Sequence, residues 1–357
     1  FGYYDKSPWS NDGTKFLVHG INAKTSIVPD PLKNTVELFV VDSNSKKILI
    51  SSKSNAFNWQ QGTRLQWLTN NKFIYNDYDK DLNQFCSKII CLDKSQSSAQ
   101  INYPIYDCFK DQFSISLNFN RLTQLRPEYG YYRFDKTVHE INNDSDGLVW
   151  IDLKSKQVKL LLTISQIEEK IAYRKPGYNH KINHIMISPN GERAMFLYRQ
   201  INPVKKIDWL VVIDLKSNTF HSVNQGEMVS HCFWKDDNTI IGWLEYHQVP
   251  GLYSIDISSG IHNQLGHSQL TSKGDGHPHL KGQRLVFDSY PDKHGYQHLK
   301  EYDFSIKEYR HLGVFYHPIK FIDANRCDLH PRYSPDGTQI SIDTVQNGIR
   351  ECLIVPA

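Results

Sequence analysis

The stretch Tyr333-Ser-Pro-Asp-Gly337, followed by Gln339-Ile-Ser-Ile342, sets a bulky residue and a tight Asp-Gly turn before an alternating apolar run. Two more copies of this arrangement stand at Trp9-Ser-Asn-Asp-Gly13 and at Ile187-Ser-Pro-Asn-Gly191. Asp-Gly and Asn-Gly pairs between short apolar runs are typical of β-hairpins, because glycine adopts the positive φ that a tight turn requires. The sequence therefore predicts the same hairpin at three widely separated points.

Four weaker copies of the hairpin raise the number of units to seven. They begin at Trp67, Phe109, Trp234 and Leu280. A later strand of the unit ends in an aspartate turn, as in Leu38-Phe-Val-Val-Asp42, Val149-Trp-Ile-Asp152, Leu210-Val-Val-Ile-Asp214 and Leu252-Tyr-Ser-Ile-Asp256. Seven units of about 50 residues, each with four short strands, are typical of propeller blades.

We therefore predict an all-β fold, a single seven-bladed β-propeller domain over residues 1–357 with four-stranded antiparallel blades. The last unit ends one strand short, at Cys352-Leu-Ile-Val-Pro-Ala357. This predicts that the N-terminal strand closes the ring, which would remove the exposed sheet edges. A pair of β-sandwiches is the alternative, although a sandwich gives no reason for the constant register.

The composition is that of a soluble protein rich in strands, with 12% aromatic and 22% charged residues. The formal net charge of +3, without a Lys/Arg run, does not indicate nucleic-acid binding, and no apolar stretch is long enough for a membrane span. The six cysteines match neither a disulfide scaffold nor a zinc ribbon. Because the chain starts at Phe1, the compartment stays open, and a secreted or periplasmic protein whose leader precedes Phe1 is one alternative. Nothing indicates an oligomeric state.

A histidine recurs at one register position of the repeat. The residues three positions before the bulky residues are Lys6, Arg64, Tyr106, His184, His231, His277 and His330. Four successive units thus place an imidazole at the start of their first strand, where such strands converge on a channel. Converging neutral imidazoles suit a transition metal, because three of them leave coordination positions open.

We predict a divalent metal held by side chains of adjacent units. Its expected ligands are His231, His277, His330 and Cys327. Zinc is the expected metal, and manganese is the alternative. Asp275 and Asp328 each stand two residues before a histidine, where they could orient an imidazole or bind the metal directly. A metal-free, histidine-lined pocket for anions is the competing interpretation.

A second register position predicts a binding rim. Twelve residues after the bulky residue stand Arg121, Arg199 and Tyr246, on the face that also carries His184. Guanidinium groups bind carboxylate or sulfate as planar forks, so the rim favours an acidic ligand. Loops of the same face carry aromatic and amide side chains suited to a sugar. The expected ligand contacts are Trp59, Gln61, Arg64 and Tyr131.

Several segments, spread nearly from end to end of the chain, carry a resemblance to known proteins. They are Phe1-Gly-Tyr-Tyr-Asp-Lys-Ser-Pro-Trp9, Asn58-Trp-Gln-Gln-Gly62, Leu65-Gln-Trp-Leu68, Leu125-Arg-Pro-Glu-Tyr-Gly130, Asn183-His184, Gly274-Asp-Gly-His-Pro278 and Arg326-Cys-Asp-Leu-His-Pro-Arg332. In these segments the chain resembles the propeller polysaccharide lyases of the ulvan lyase type and, more distantly, oligogalacturonate lyase. The resemblance implies a seven-bladed propeller with a metal near its channel that cleaves uronate-containing glycans by β-elimination. The expected partner is an acidic polysaccharide or oligosaccharide, and neither nucleic acid nor a membrane is expected.

The chemistry that this resemblance implies assigns roles to the rim. Removal of the C5 proton of a uronate requires that the charge of its carboxylate be neutralised. Arg199 or Arg121 would supply the positive charge. His184 or Tyr246 would act as the base, with His180 as a second candidate. A neighbouring histidine or tyrosine would protonate the leaving oxygen.

The resemblance also implies a histidine in the segment before Leu125-Arg-Pro, where this chain has Thr123. A non-catalytic propeller that binds a glycan or a protein, and keeps the metal for structure, is therefore the alternative function. A glycoside hydrolase ranks last. It would need two carboxylates that flank the scissile bond, whereas Asp79 and Asp292 belong to the second and sixth units.

Overall fold

Short antiparallel strands dominate the computed structural model, which describes residues 1–93, 98–133, 141–172, 177–225, 228–265 and 275–357. Gly274 of a segment quoted above lies outside these ranges. Two short α-helices, α1 (Phe119–Leu125) and α2 (Ile164–Ile167), are present in them, together with a π-helical turn (Glu168–Ala172) and a 3₁₀ turn (Asp323–Asn325). No helix in this part of the chain is long and apolar enough to cross a membrane.

The described residues form 26 strands. The first thirteen are β1 (Lys15–Gly20), β2 (Val36–Asp42), β3 (Ile48–Ser54), β4 (Gln66–Thr69), β5 (Lys72–Asp79), β6 (Gln84–Cys91), β7 (Ala99–Ile101), β8 (Asp107–Phe109), β9 (Phe113–Ser116), β10 (Gly147–Asp152), β11 (Val158–Thr163), β12 (Asn179–Ile187) and β13 (Arg193–Ile201). The others are β14 (Lys206–Asp214), β15 (Phe220–Gln225), β16 (Val229–Trp234), β17 (Thr239–Tyr246), β18 (Val249–Asp256), β19 (His262–Gln264), β20 (His279–Lys281), β21 (Arg284–Phe287), β22 (Tyr296–Asp303), β23 (Glu308–Tyr316), β24 (Arg332–Tyr333), β25 (Gln339–Thr344) and β26 (Glu351–Pro356).

These strands form seven antiparallel sheets, in which strands that follow one another in sequence are also neighbours in the sheet. Five sheets have four strands, and the sheets β1–β3 and β24–β26 have three. The fold is a seven-bladed β-propeller, as the repeat predicts.

The chain divides into two compact units. The first comprises Phe1–Ile105, Leu122–Val138 and Gly276–Ala357, and it contains the sheets β1–β3, β4–β7, β20–β23 and β24–β26. The second comprises Tyr106–Arg121 and His139–Asp275, and it contains the sheets β8–β11, β12–β15 and β16–β19. The single domain over residues 1–357 stays a prediction.

The predicted turns lead into β1 in the first sheet and into the second strand of each of the other six sheets. Gly13, Gly191 and Gly337, in the three clearest copies, have φ values of 71°, 80° and 73°. In the last of these turns Asp336 accepts a hydrogen bond from the backbone N–H of Thr338. Local turn chemistry therefore sets the first hairpin of each sheet.

The N-terminal segment meets the sheet β24–β26 without joining it as a strand. Trp9 forms an isolated β-bridge with Phe16 of β1, so this segment lies beside β1 on the side away from β2. Arg332 of β24 donates hydrogen bonds to the carbonyl groups of Gly2 and Tyr3. The strand predicted from the N-terminal segment is therefore not found beside β26 among the described residues, and the segment contacts the last sheet through the side chain of Arg332.

The core of each unit lies between the faces of neighbouring sheets. Leu17, Val40 and Phe73 belong to one buried cluster in the first unit, and Leu197 and Ile255 belong to one in the second. Fully burying each such side chain contributes roughly 1.5–3 kcal/mol. This packing fixes the strands of neighbouring sheets against each other, and the loops described next lead into these sheets.

The repeat position three residues before the bulky residue has a left-handed backbone in several repeats. Arg64, His184 and His330 occupy equivalent positions in three of the seven sequence repeats. Their φ values are 55°, 52° and 42°. A left-handed backbone is uncommon outside glycine. Its recurrence at this position marks the place where the chain turns into, or bends within, the first strand of a sheet.

Candidate metal centre

Two histidines and an aspartate of the first unit form a buried cluster. His277 precedes β20, and Asp328 and His330 precede β24, so loops that lead into the first strands of two sheets supply the three side chains. One ligand atom of each lies within 4.8 Å of the others. The ring centroids of His277 and His330 are 4.3 Å apart, and His277 Nε2 lies 3.9 Å from Asp328 Oδ2. The structure thus brings two of the predicted metal ligands together.

Each imidazole of this cluster is oriented through its Nδ1 atom. His277 Nδ1 lies 3.0 Å from Asp288 Oδ1, and His330 Nδ1 lies 3.0 Å from the carbonyl oxygen of Gly2. Because these oxygens accept, Nδ1 carries the proton, and Nε2 of the neutral ring carries the lone pair. Metal-binding histidines have this arrangement. Two imidazoles and a carboxylate therefore fit a divalent metal such as zinc or manganese.

Asp288 is the carboxylate that contacts His277 Nδ1, and the sequence repeat did not predict it as a site residue. Its oxygens accept hydrogen bonds from the backbone N–H groups of His277 and His330, at 2.6 and 3.0 Å. Burial alone would raise the pKa of Asp288, but the His277 ring and these N–H groups outweigh burial and hold the pKa below its usual value. The ionised carboxylate therefore ties both loops together.

Replacing Asp288 by asparagine should weaken metal binding about 10–100-fold, because the amide has no negative charge and only one of the two acceptor oxygens that orient the His277 ring and the two loops. Calorimetric titration of the chelator-treated protein with Mn²⁺ measures this change. Asp303→Asn is the matched control, since the Asp303 carboxylate accepts from the backbone N–H of Ser305 instead. An unchanged Kd in Asp288→Asn would contradict the role assigned to Asp288.

Arg326 and Tyr290 lie at the edge of the cluster. Arg326 Nε donates to both carboxylate oxygens of Asp328, at 2.7 and 2.8 Å. The Arg326 guanidinium lies 4.8 Å from the centroid of the Tyr290 ring. That ring is 5.8 Å from the ring of His277, and 37% of Tyr290 is exposed. A cation and an accessible phenol thus lie beside the candidate ligands.

A cavity of about 390 Å³ adjoins the cluster. Asp328 and His330 form part of its wall, together with Trp59 and Arg350. The Arg350 guanidinium lies 4.8 Å from the centroid of the Trp59 ring, and Trp59 Nε1 donates to the carbonyl group of Ile27. An aromatic face beside a guanidinium suits a negatively charged sugar. Trp59 therefore lines the cavity beside the cluster, and its contact with a ligand stays a prediction.

The other three predicted ligand contacts are buried. They are Gln61, Arg64 and Tyr131. Arg64 forms a bidentate ion pair with Asp5, at 3.1 and 2.6 Å. The Tyr131 hydroxyl accepts a hydrogen bond from Asn76, and the backbone N–H of Tyr131 donates to the hydroxyl of Thr123. Thr123, which stands where the resemblance implies a histidine, thus holds the loop that carries Tyr131.

Cys327, a further predicted ligand, lies outside the cluster of ligand atoms. It packs with Phe321 and Val345 in an apolar cluster. Burial raises the pKa of its thiol to about 12, so the thiol is protonated at neutral pH. Asp328, which the sequence offered as an alternative ligand, provides the third group instead.

His184 and His231 lie together in the second unit, with ring centroids 6.0 Å apart. His231 Nδ1 lies 3.0 Å from Asp275 Oδ1, and the Ser230 hydroxyl donates to the other oxygen of Asp275. The carboxylate keeps the proton on Nδ1 and the lone pair on Nε2. An imidazole oriented in this way is suited to act as a general base.

The two arginines of the predicted rim are buried in ion pairs of the second unit. Arg199 Nε lies 3.1 Å from Asp208 Oδ1, and these residues face each other across β13 and β14. Arg121 of α1 pairs with Asp146. Both guanidinium charges are therefore balanced by carboxylates of the protein itself.

His180, the second candidate base, is buried near these arginines. Its backbone carbonyl accepts a hydrogen bond from Arg121 at 2.8 Å. Its Nδ1 lies 2.6 Å from the Tyr198 hydroxyl, and its Nε2 lies 3.7 Å from Glu168 Oε1. His180 thus lies between a phenol and a carboxylate, and burial raises the pKa of that phenol.

Tyr246 lines a different cleft, of about 830 Å³, together with His221 and His262. Its ring stacks on His262, with centroids 4.0 Å apart and an angle of 5° between the planes. The other four predicted catalytic residues are all described by the structure, and none of them lines this cleft. Tyr246 therefore lines a cleft whose wall does not include His184.

Comparison with known proteins reveals a likeness of fold. No family model and no curated protein matches the sequence. An oligogalacturonate lyase in complex with manganese matches with a TM-score of 0.63 and 14% identity, over 99% of this chain and 89% of that chain. The oligogalacturonate lyase of Vibrio parahaemolyticus matches with a TM-score of 0.62 and 10% identity, over the same shares. A puromycin hydrolase matches with a TM-score of 0.54 and 11% identity, over 100% of this chain and 55% of that one. At these identities, what the chain shares with the three proteins is the fold.

Proposed function

We propose that the protein is a metal-dependent polysaccharide lyase, which cleaves an acidic, uronate-containing glycan by β-elimination. The observation that carries the proposal is the buried cluster of His277, Asp328 and His330 beside a cavity lined by Trp59 and Arg350. The fold likeness to an oligogalacturonate lyase in complex with manganese supports the same class of reaction. Manganese thereby becomes as suitable a metal as the zinc expected from the sequence.

The groups at the cluster account for the binding of a uronate. Held by the two imidazoles and the carboxylate, a divalent metal would supply Lewis-acid chemistry toward a uronate carboxylate. Arg326 adds a guanidinium at the same place, and a guanidinium binds a carboxylate as a planar fork. Neutralising the carboxylate makes the C5 proton more acidic, because the charge that develops on its loss is stabilised.

Elimination also needs a base and an acid. The base takes the C5 proton, the bond from C4 to the glycosidic oxygen breaks, a double bond forms between C4 and C5, and the acid protonates the departing oxygen. In the first unit, the accessible Tyr290 beside Arg326 is our candidate for one of these steps. In the second unit, we retain His184 as a candidate base and add His231, which Asp275 orients.

Arg121, Arg199 and His180 hold the structure of the second unit in place. Arg121 and Arg199 each balance a buried carboxylate, so we assign them to the architecture of the second unit rather than to the substrate. His180 supports Arg121 through its backbone carbonyl. Arg326 also pairs with a carboxylate, that of Asp328, but its side chain is 31% exposed, whereas those of Arg121 and Arg199 are 6% and 7% exposed. We therefore assign the positive charge that the substrate requires to the metal and Arg326.

The test is an assay of the full chain, loaded with Mn²⁺, on oligogalacturonates and on ulvan in separate reactions. We expect products with the ultraviolet absorbance of an unsaturated uronate. The Tyr290→Phe and His231→Gln variants should each lose roughly 10²–10⁴-fold in turnover if they transfer protons. Tyr296→Phe, which changes an exposed tyrosine at the start of β22, is the matched control.

A glycan that binds without any unsaturated product, on both substrates and with metal present, would contradict the lyase proposal. That result would support the non-catalytic glycan-binding function instead. If Tyr290→Phe and His231→Gln both keep full turnover, the elimination would stand but its assigned acid and base would be wrong.

A further inference from the structure

We propose a second transition-metal site on the sheet β20–β23, formed by His298 of β22 and His311 of β23. His298 Nδ1 and His311 Nε2 lie 3.0 Å apart. Neither residue belongs to the cluster of His277, Asp328 and His330. The proposal is therefore independent of the proposed lyase activity.

A β-bulge brings the two imidazoles to the same face. His298 pairs with Val314 and Lys300 pairs with His311, and the register shifts between these pairs so that Leu312 has no partner opposite it. Residues directly opposite each other share a face, and so do residues two apart on one strand. Without the extra residue, His311 would point to the other face of the sheet, since a one-residue slip inverts the side chains. Bulges commonly re-aim a side chain in this way.

The spacing of the two rings fits chelation of one ion. Two imidazole nitrogens bound to a zinc ion at about 2.0–2.1 Å, with a near-tetrahedral angle between the bonds, lie about 3.3–3.4 Å apart. The observed separation of 3.0 Å is within a few tenths of an ångström of that value. The rings are inclined at 63° with centroids 5.2 Å apart, so neither ring blocks the other's nitrogen by stacking on it.

A carboxylate orients one of the two rings. Asp292 Oδ2 lies 3.4 Å from His298 Nε2, the ring nitrogen remote from His311. Asp292 Oδ1 accepts from the backbone N–H groups of His294 and Tyr296, which fixes the carboxylate before any metal binds. A carboxylate behind the far nitrogen is the usual arrangement of a metal-binding histidine. Its presence favours a metal over an incidental pair of rings.

The site is open to solvent. The side chains of His298 and Asp292 are 30% and 38% exposed, and His311 is exposed as well. An ion held here by two imidazoles keeps positions for water or for a side chain of another molecule. Imidazole ligands select zinc, copper or nickel rather than calcium or magnesium.

The test is calorimetric titration of the chelator-treated full chain with Zn²⁺, in the His277→Ala/His330→Ala background so that the first cluster does not contribute. We expect about one equivalent of Zn²⁺ to bind. His311→Gln and His298→Gln should each remove this binding. Asp292→Asn should weaken it about 10–100-fold, because the amide can still accept the hydrogen bonds of the turn before β22 but no longer places a carboxylate beside His298 Nε2. His294→Ala, which removes an exposed imidazole from the turn before β22, should leave the binding unchanged.

The proposal is overturned if the background variant binds no Zn²⁺, or if His311→Gln and His298→Gln bind it as the background does. It is also overturned if His294→Ala removes the binding equally. Should the background variant fail to fold, the same series is measured on the parent chain, where the expected result is two equivalents that fall to one in His311→Gln. A parent that binds the same number of equivalents as His311→Gln contradicts the site.

Discussion

Replacing His277 and His330 together by alanine should remove about one equivalent of tightly bound divalent metal from the purified protein. These two rings supply two of the three ligands, and the remaining Asp328 carboxylate already bonds to Arg326. Elemental analysis after dialysis against a metal-free buffer measures the loss. A second readout is stability. Mn²⁺ at about 100 times its Kd should stabilise the parent against unfolding by about 2.7 kcal/mol and leave the variant unchanged.

His279→Ala is the matched control for that experiment. His279 stands two residues from His277, but its Nδ1 accepts from the backbone N–H of Tyr333 and it is not part of the cluster. The control should keep the metal and its stabilising effect. Equal metal contents in the parent and the double variant would show that the cluster does not hold the ion.

Replacing Arg64 by methionine should destabilise the protein by about 3–5 kcal/mol, because it leaves the buried carboxylate of Asp5 without its main partner. In the parent, burial alone would raise the pKa of Asp5, but Arg64 and Lys6 outweigh burial and hold the pKa below its usual value. The ionised carboxylate therefore stabilises the fold above its ordinary pKa, and this contribution is lost as the pH falls through the lower folded pKa. Urea unfolding of both proteins at pH 7 measures the difference.

The pH dependence and a second variant identify the cause of the loss. Without Arg64, burial dominates and the pKa of Asp5 rises, so the deficit should shrink as the pH falls and the carboxyl group becomes neutral. Asp5→Asn in the Arg64→Met background should recover part of the stability for the same reason. Equal stability of the parent and Arg64→Met at pH 7 would contradict a structural role and return Arg64 to the predicted ligand contacts.

The fold was predictable because its signals are local. The turn at Tyr333-Ser-Pro-Asp-Gly337 contains, within five residues, the aspartate and the glycine that the hairpin needs. The copies at Trp9 and Ile187 repeat the Asp-Gly or Asn-Gly pair, the four weaker copies keep part of it, and each copy stands at the start of a sheet. The contact of the N-terminal segment was harder to predict, since Arg332 is far from Gly2 in sequence and the contact involves a side chain rather than a strand.

The site was predictable only in part, because some of its features depend on local register and others on contacts between residues far apart in sequence. Counting from the turns found His277 and His330 because register is a local property. Counting could not show that Arg64 is neutralised by Asp5 or Arg121 by Asp146, since such pairs depend on tertiary packing. Arg199 and Asp208 are an exception, because they face each other across one hairpin. Counting outward from the turn between β13 and β14 would have revealed this pair.

The most direct test of the metal centre is anomalous diffraction from crystals of the full chain grown with Mn²⁺. The account predicts that the strongest manganese peak lies within coordination distance of His277 Nε2, His330 Nε2 and a carboxylate oxygen of Asp328. A well-ordered cluster without a manganese peak, or a strongest peak elsewhere in the molecule, would contradict it.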